Sequence, residues 1–316
     1  MKFSTHPGVL TAPNWFPFRL DIEAEMISFI ETDRGLLSAS AFIDGRTPLT
    51  RTDQVTHVPV DHALGWLDAT PAQPDRLIAH TAFCGSTLLA RVLDIEGRSF
   101  AYKEPQILID LAKLKAAGHA ICKDKEKWRR LVAFCLEQFR LPWRQDEVCL
   151  IKPSNWANTL MPDMLSASRD MRLVLMRLDL EAFLIAVLRG GNARLGYCLS
   201  CLNHFLAGNS GQAKLARATE QATLPPLVKV LRLVAILHQI QVDIFNSLAR
   251  KLPTEHVMQF TKEQLLLSPH DTTLAASKTL ELGLDAETCA ASWTRNARND
   301  SKQSDEIYDQ QKALKA

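Results

Sequence analysis

The sequence predicts an α/β fold in which helices cover both faces of a central, mostly parallel sheet, with a small β-rich addition at the N-terminus. Short apolar runs alternate with helix-periodic segments from residue 76 onward, as in parallel strands that are joined by helices. Before residue 76, short β-like runs are separated by several prolines and by Asp44-Gly45-Arg46. We therefore expect an N-terminal subdomain over 1–75, a main domain over 76–294 and a polar tail over 295–316.

The first predicted strands lie in the N-terminal segment. Met26-Ile27-Ser28-Phe29-Ile30 and the run from Leu37 to Phe42 both have the short apolar character of strands. Arg76 to Phe83 is a compact apolar run that ends in a turn of small residues, and Leu88 to Leu93 then begins an amphipathic helix. The order at the start of the main domain is thus strand, tight turn, helix.

The remaining elements follow from the same patterns. Three further apolar runs predict strands of the main sheet: Ser99 to Tyr102, Val148 to Ile151 and Met171 to Met176. Residues 106–140 have helical periodicity, and a long helix is expected from Leu227 to Leu252. The apolar face of that helix is interrupted only at Gln241, so packing is its expected role.

Composition excludes several classes of protein. Of the 316 residues, 47% are hydrophobic and 23% are charged, which is typical of a globular protein. The formal net charge is +2, and no apolar stretch approaches the ~18 residues of a membrane span, so we expect neither a nucleic-acid nor a membrane partner. Seven scattered cysteines indicate reduced thiols, and the absence of an apolar leader indicates a cytoplasmic protein.

A turn of small residues, Phe83-Cys84-Gly85-Ser86-Thr87, joins the first main strand to its helix. The N–H groups of such a turn can hold a phosphate, Gly85 allows close approach of the backbone, and the two hydroxyls add donors. We predict that Cys84, Gly85, Ser86, Thr87 and Leu88 bind an anion, in a P-loop-like three-layer fold. A Walker A loop would have lysine where Ser86 stands, so that motif is absent. The alternative is that the turn only caps the helix.

Polar side chains follow three other predicted strands. Glu104, Lys152 and Arg177 each come directly after, or one residue after, an apolar run. Pro105 disfavours helix at Glu104 and keeps this residue at a strand end. Because ligands gather beyond the carboxyl ends of parallel strands, we expect these side chains and Gly85 on one rim.

The sequence resembles sulfotransferases in several segments. Phe83 to Arg91 is similar to their 5′-phosphosulfate-binding loop, usually R-S-G-[ST]-T-x-[LW]. Met171 to Arg189 is similar to the segment that binds the 3′-phosphate of the cofactor. Val257 to Leu266 and Leu280 to Leu284 are similar to the late strand, the Y-E-D-L-L turn and the terminal F-L-G-L helix of the family. These segments extend over residues 76–302 in the family's order.

The resemblance implies a donor and a set of roles. The donor is PAPS (3′-phosphoadenosine 5′-phosphosulfate), and no metal is required. Glu104 corresponds to the glutamate that takes the acceptor proton, and Lys152 corresponds to the lysine that neutralises the leaving phosphate. Arg177 corresponds to the arginine of the R-D-P segment and would grip the 3′-phosphate through two parallel hydrogen bonds.

Two further cations are candidates for cofactor binding. Arg194 lies close after Gly190-Gly191, a joint that could bring an arginine onto a bound nucleotide. Lys302 resembles the basic C-terminal segment that closes over the nucleotide in some sulfotransferases. The alternatives are a glycine cap at a helix end and a disordered basic tail.

The chain departs from the family pattern at three positions. Phe83 replaces the usual loop arginine, Leu178-Asp179 replaces Asp-Pro after Arg177, and the expected serine falls at Ile185 or Ala186. Either other groups hold the 3′-phosphate or the donor is different. The rim residues also have structural interpretations: Glu104 could pair with Lys103 or Arg98, Lys152 could face water, and Arg177 could pair with Asp179 or Glu181.

The predicted function is sulfuryl transfer from PAPS to a hydroxyl or amine of a small-molecule acceptor. One alternative is an ATP-dependent kinase with Asp179 as a Mg²⁺ ligand, and another is a catalytically inactive nucleotide-binding scaffold. No metal site is predicted, because Cys198-x-x-Cys201-x-x-His204 lies in an apolar, helix-like context without a second pair of cysteines.

Overall fold

The computed structural model describes residue 8 and residues 10–69, 74–168 and 170–297. Its strands are β1 (Trp15–Asp21), β2 (Met26–Glu31), β3 (Val55–Pro59), β4 (Asp75–His80), β5 (Ser99–Lys103), β6 (Val148–Lys152), β7 (Met171–Arg177) and β8 (Val257–Thr261). Its helices are α1 (Arg34–Ala39), α2 (Val60–Gly65), α3 (Ser86–Val92), α4 (Gln106–Ala116), α5 (Lys125–Gln138), α6 (Met161–Ala167), α7 (Leu180–Arg189), α8 (Gly191–Leu206), α9 (Ser210–Gln221), α10 (Pro226–Ala249), α11 (Lys262–Leu267), α12 (Pro269–Thr279) and α13 (Ala286–Asn296). Short 3-10 helices lie at Trp66–Ala69, Ala120–Lys123, Asn155–Leu160 and Thr254–His256.

Five parallel strands form the central sheet in the order β5-β6-β4-β7-β8. Their registers align the carboxyl ends: Lys103 pairs with Lys152, His80 with Met176, and Arg177 with Thr261. The chain leaves β4 toward one edge of the sheet and later crosses to the other edge, so the order reverses at β4. The predicted α/β fold with a parallel sheet is confirmed.

Both faces of the central sheet are buried. All residues of β4 and β5 are shielded from solvent, as expected for parallel strands that are covered on both sides. Alternate residues enter two separate hydrophobic clusters: Leu77 and Leu173 belong to one, and Ile78 and Val174 belong to the other. The continuous apolar runs in the sequence therefore reflect burial on two faces.

The N-terminal part forms a second, antiparallel sheet in the order β1-β2-β3. The strand predicted from Met26 to Ile30 is confirmed as β2, but the strand predicted from Leu37 to Phe42 is wrong. Part of this run lies in α1, where the Asp33 carboxylate accepts a hydrogen bond from the Leu36 N–H at 2.8 Å. A side-chain cap favours a helical turn, and a short apolar run fits either structure.

Several contacts join the two sheets. The Arg34 guanidinium of α1 bonds to Glu147 at 2.9 Å and to Asp94 at 3.1 Å. The Ile43 N–H donates to the carbonyl oxygen of Lys103 at 2.7 Å. The boundaries proposed at residues 75 and 294 remain predictions, and most of the predicted tail lies outside the described residues.

The predicted helices of the main domain are present. The segment 106–140 contains α4 and α5, which are interrupted near Gly118, where φ is +65°. The long helix is α10, and Gln241 on it is fully buried. None of the helices in the described part of the chain combines the length and the apolar composition that crossing a bilayer requires.

Candidate active site

The loop after β4 has an unusual backbone. Ala82, Phe83 and Gly85 have φ angles of +74°, +56° and +83° before α3 begins at Ser86. The Thr81 hydroxyl oxygen accepts a hydrogen bond from the Leu178 N–H at 3.3 Å and ties the loop to the end of β7. Non-glycine residues in the left-handed region cost about 1–2 kcal/mol each, so the surrounding contacts hold this loop in its shape.

The side chains of the predicted anion loop are mostly internal. Cys84 is fully buried with its Sγ 3.6 Å from the Met176 carbonyl oxygen, and burial raises the pKa of the thiol. Leu88 belongs to the hydrophobic core. Ser86 and Thr87 are also buried, at the start of α3. An anion at this loop would therefore meet the backbone N–H groups and the two hydroxyls, with Cys84 and Leu88 contributing main-chain atoms.

Glu104 and Lys152 form a buried ion pair at the carboxyl edge of the sheet. Lys152 Nζ lies 2.5 Å from Glu104 Oε1, and the lysine side chain has no solvent exposure. The Glu104 N–H also donates to the Lys152 carbonyl oxygen at 2.7 Å. Glu104 has a φ of +62°, which turns its side chain away from the course of β5. Among the described residues, neither Lys103 nor Arg98 pairs with Glu104.

A second cation reaches Glu104 from the N-terminal part of the chain. Arg46 Nη2 lies 3.4 Å from Glu104 Oε2 and 2.6 Å from Asp44 Oδ2. The Arg46 guanidinium stacks on the Phe42 ring at 3.9 Å, and Lys152 Nζ lies 5.8 Å from the centre of the same ring. Partial burial lowers the pKa of Arg46, but Asp44 and Glu104 outweigh this effect and raise it.

His80, the last residue of β4, lies beneath the ion pair. Its Nδ1 accepts a hydrogen bond from the Ala82 N–H at 3.1 Å, and its Nε2 lies 3.1 Å from the Pro153 carbonyl oxygen. This geometry assigns the hydrogen to Nε2, because a carbonyl oxygen can only accept. His80 Nε2 is 3.9 Å from Glu104 Oε1. The imidazole therefore connects the loop, the segment after β6 and the carboxylate.

Buried amides support the segment that follows Lys152. Asn158 Nδ2 donates to the His80 carbonyl oxygen at 2.9 Å and to Gln241 Oε1 at 3.0 Å. Gln241 thus connects α10 to the carboxyl edge of the sheet, and its role extends beyond the packing that was predicted for α10. The Tyr197 hydroxyl of α8 donates to Asn155 Oδ1. Burial, with smaller contributions from Cys201 and Glu104, raises the pKa of Tyr197.

Arg194 reaches the loop from α8. Its guanidinium lies 4.9 Å from the centre of the Phe83 ring and donates to the Ala186 carbonyl oxygen at 2.6 Å. Gly190 forms the C-cap of α7, as in the structural alternative for these glycines. A Cβ on Gly190 would lie 1.9 Å from Arg194 Cδ, so the missing side chain makes room for the arginine.

Lys262 reaches the same loop at Gly85. It is the first residue of α11 and directly follows β8, and its Cγ lies 4.0 Å from where a Cβ on Gly85 would stand. Burial lowers the pKa of Lys262, and Arg189 and Arg194 lower it further. Phe83 contacts Phe183 and Tyr197 at ring distances of 5.9 and 6.1 Å.

The remaining predicted positions are Arg177, the position expected for serine, and Lys302. Arg177 ends β7 half-buried and influences His238 electrostatically, and among the described residues it forms no ion pair with Asp179 or Glu181. Ile185, at one of the positions expected for serine, is 36% exposed on α7. Lys302 lies outside the described residues. The structure thus brings together Glu104, Lys152 and the loop. Arg177 lies between Met176 and Leu178, whose main-chain groups contact Cys84 and Thr81, and it stays a predicted ligand.

Cys198, Cys201 and His204 all lie buried on α8. His204 Nε2 is 3.1 Å from both the Thr159 hydroxyl and the Trp156 carbonyl oxygen, so this buried ring nitrogen has hydrogen-bonding partners. Among the described residues, no group of three or more His, Cys, Asp or Glu side chains is arranged to hold a metal ion. These three residues form part of the core.

Sequence reasoning assigned no role to Arg46, Tyr197, Gln241 or Lys262. Lys262 could have been found, because it follows a strand of the sheet directly, as Glu104 does. Arg46 and Tyr197 carry no such signal, since they come from a loop of the N-terminal part and from the middle of a helix. Only the tertiary structure brings them to Glu104.

The fold and the site define an α/β protein with a buried ion pair at the carboxyl edge of a parallel sheet, beside a glycine-containing loop. Solved structures that are similar to the chain include two sulfotransferase domains. The sulfotransferase domain from the Synechococcus PCC 7002 olefin synthase is 11% identical, with a TM-score of 0.43 over 76% of this chain and 82% of that chain. The sulfotransferase domain from the curacin biosynthetic pathway is 11% identical, with a TM-score of 0.41 over 76% of this chain and 86% of that chain. No protein-family model and no curated protein matches the chain.

Proposed function

We propose that the chain is a sulfotransferase that moves the sulfuryl group of PAPS to a hydroxyl or amine of a small-molecule acceptor. The observation that carries the proposal is the buried Glu104–Lys152 pair beside the loop 83–87. Sulfuryl transfer needs a base for the acceptor proton and a cation for the charge that develops on the bridging oxygen. The pair offers one group of each kind at the end of the sheet where ligands bind in α/β proteins.

Glu104 is the proposed base. Its carboxylate is held from two sides, by Lys152 and by Arg46, while its positive φ and its bond to the Lys152 carbonyl oxygen determine its direction. A base must be held within hydrogen-bonding distance of the proton that it takes, and these contacts restrict the carboxylate to one orientation. His80, bonded to the loop and to Pro153, adds a rigid support beneath it.

Lys152 is the proposed cation for the leaving oxygen. An ammonium group is a compact point charge with three donors, so it can keep one bond to Glu104 and offer another to an oxygen of the donor. Burial raises the pKa of the Cys84 thiol, and Lys152 lies close enough to oppose part of this rise, so its charge reaches the predicted anion loop. The site thus joins the loop and the base through one residue.

The residues around the loop fit a phosphosulfate group. PAPS when bound would supply the sulfuryl group and a phosphate leaving group. The N–H groups after Gly85, the hydroxyls of Ser86 and Thr87 and the cations of Lys152 and Arg194 would hold these anionic oxygens. Phe83 occupies the position of the usual loop arginine and instead lies under the guanidinium of Arg194.

The acceptor is proposed to enter on the side of Phe42 and Tyr197. Both aromatic residues lie in the neighbourhood of Glu104 or Lys152, and Arg46 adds a half-exposed cation there. We also propose a cytoplasmic location, which is supported by the seven cysteines, all of them free thiols in the structure.

Ligand-dependent thermal unfolding tests the donor. We compare adenosine 3′,5′-bisphosphate (PAP), ADP, and ATP with and without Mg²⁺. A ligand at about 100 times its Kd adds about 2.7 kcal/mol to the free energy of unfolding, so PAP is expected to raise the Tm by several degrees. A larger shift with ATP and Mg²⁺ than with PAP would contradict the proposal and favour the kinase. If PAP raises the Tm as expected but no sulfuryl group is transferred from PAPS to any acceptor, the inactive scaffold is favoured.

Glu104→Gln tests the proposed base. The variant is expected to keep the PAP affinity of the wild type by calorimetry and to lose about 100-fold or more in transfer from labelled PAPS, because the amide cannot take a proton. The acceptors are a panel of hydroxyl and amine compounds. Glu220→Gln, on the exposed face of α9, is the matched control and should behave as wild type. Loss of PAP binding with retained transfer would refute the role of Glu104.

A further inference from the structure

We infer that Lys262 supplies the cation that the loop 83–87 lacks in its own sequence, and that Lys262 and Arg194 together hold a phosphate or sulfate group at this loop. The inference rests on the proposed function in one respect: the phosphosulfate of the donor is the group expected there. The loop contains no basic residue, since Phe83 stands where the resembled loop has arginine. Two cations from elsewhere in the fold lie against it instead.

Lys262 approaches the loop along its glycine. β8 lies beside β7 in the sheet, and the pairing of Arg177 with Thr261 brings Lys262 to the carboxyl edge immediately after the strand ends. The Lys262 stem passes Gly85, with Cγ 4.0 Å from the position of an added Cβ. The lysine stem therefore lies within van der Waals reach of the loop at Gly85, whose φ of +83° is the conformation that favours glycine there.

Arg194 approaches the loop at Phe83. Its guanidinium lies over the Phe83 ring, and one of its nitrogens donates a hydrogen bond to the Ala186 carbonyl oxygen. Gly190 determines this course, because any Cβ there would overlap the Arg194 side chain. The backbone of Gly190 has φ −84° and ψ 0°, which any residue can adopt, so the glycine is needed for space and not for conformation.

The cations around this loop repel one another. Burial lowers the pKa of Lys262, and the charges of Arg189 and Arg194 lower it further. The thiol of Cys84 lies within electrostatic reach of Lys152 and of Lys262, and it keeps its proton at neutral pH because burial raises its pKa. A bound anion would remove this repulsion and would accept charge-assisted hydrogen bonds from two directions.

The experiment measures anion affinity by calorimetry with two probes, inorganic pyrophosphate and PAP. Lys262→Met and Arg194→Met are each expected to weaken both ligands by about tenfold or more, since each removes a charge-assisted contact. Lys278→Met, an exposed lysine of α12, is the matched control and should bind as wild type. Gly190→Ala should weaken binding as Arg194→Met does, whereas Gly196→Ala, with no atom near the added Cβ, should not.

The outcomes separate this inference from the proposed function. If PAP binds the wild type, and Lys262→Met binds both probes with the affinity of the wild type, the inference is wrong and the proposed function stands. If PAP does not bind but pyrophosphate does, with the same dependence on Lys262, the proposed function fails and the inference stands. If the wild type binds neither probe, both are wrong. Circular dichroism of each variant confirms the fold, and Lys262→Arg, which keeps the charge, should retain most of the affinity even where Lys262→Met is poorly folded.

Discussion

At the scale of single residues, Glu104 is constrained by both its backbone and its side chain. Its φ of +62° lies in the left-handed region, where a non-glycine residue is strained. Its carboxylate is nearly buried and is bonded to Lys152. A buried charge is stable only beside its partner, so the two residues depend on each other.

Lys152→Met is expected to lower the free energy of unfolding by about 3 kcal/mol, because it leaves the Glu104 carboxylate without its closest cation. Denaturant unfolding measures this change. The double variant Glu104→Gln/Lys152→Met should recover more than half of the loss, since no uncompensated charge is then buried. Equal losses in the single and double variants would show that the stem of the lysine, and not its charge, stabilises the site.

At the scale of elements, α10 reaches the site through one amide. Gln241 is fully buried on this helix, and it accepts hydrogen bonds from Asn158 and, at 3.5 Å, from Asn155. Both asparagines belong to the 3-10 helix after Lys152, so Gln241 holds this segment against the carboxyl edge of the sheet. The polar interruption in the helical pattern therefore has a positioning role.

Gln241→Leu should lower the free energy of unfolding by about 1–3 kcal/mol, because buried amides lose their acceptor. Gln239→Leu on the same helix is the control: Gln239 is exposed and donates a hydrogen bond to Asp243 at 2.8 Å, so a change within about 0.5 kcal/mol is expected. Chemical denaturation of both variants makes the comparison. If Gln239→Leu lowers the free energy of unfolding as much as Gln241→Leu does, the buried amide network is not what stabilises the protein at Gln241.

At the scale of the whole molecule, the N-terminal part is attached to the main sheet through buried charges. Lys103 Nζ donates to the Ser38 carbonyl oxygen at 2.9 Å and lies 3.5 Å from Asp94. Asp94 also bonds Arg34 of α1. Burial lowers the pKa of Lys103 from 10.5 to about 8, although Asp94 opposes this effect.

This pKa predicts a pH dependence of stability. Between pH 8 and pH 10.5 the unfolded chain keeps the proton on Lys103 and the folded chain has lost it, so folding is favoured increasingly as the pH rises. The contribution is about 2–3 kcal/mol over this window and is absent below it. Lys103→Met should lack this rise, whereas Lys113→Met, an exposed lysine of α4, should keep it. Urea unfolding at pH 7.5 to 10 tests the difference, and parallel pH profiles for all three proteins would refute it.

The elements of the main sheet could be predicted because their signals are local. A strand that is buried on both faces reads as a continuous apolar run, as in Arg76 to Phe83 and Met171 to Met176. The run from Leu37 to Phe42 was wrongly predicted as a strand, because a six-residue apolar segment fits either a helix or a strand. The side-chain cap of Asp33 is what favours α1. The placement of Glu104 and Lys152 at one edge followed from the rule for parallel sheets.

The sequence alone is enough to specify the α/β class, the strand ends and the polar residues that follow them, because each of these depends on neighbours within a few positions. It could not reveal that Arg46 and Tyr197 lie near Glu104, that Gln241 supports Asn158, or that Lys262 lies against Gly85. These contacts join residues that are far apart in the chain, and they exist only once the sheet order and the helix packing bring them together. Tertiary structure therefore decided the partners of each charge, and those partners are what turn a rim of polar residues into a candidate active site.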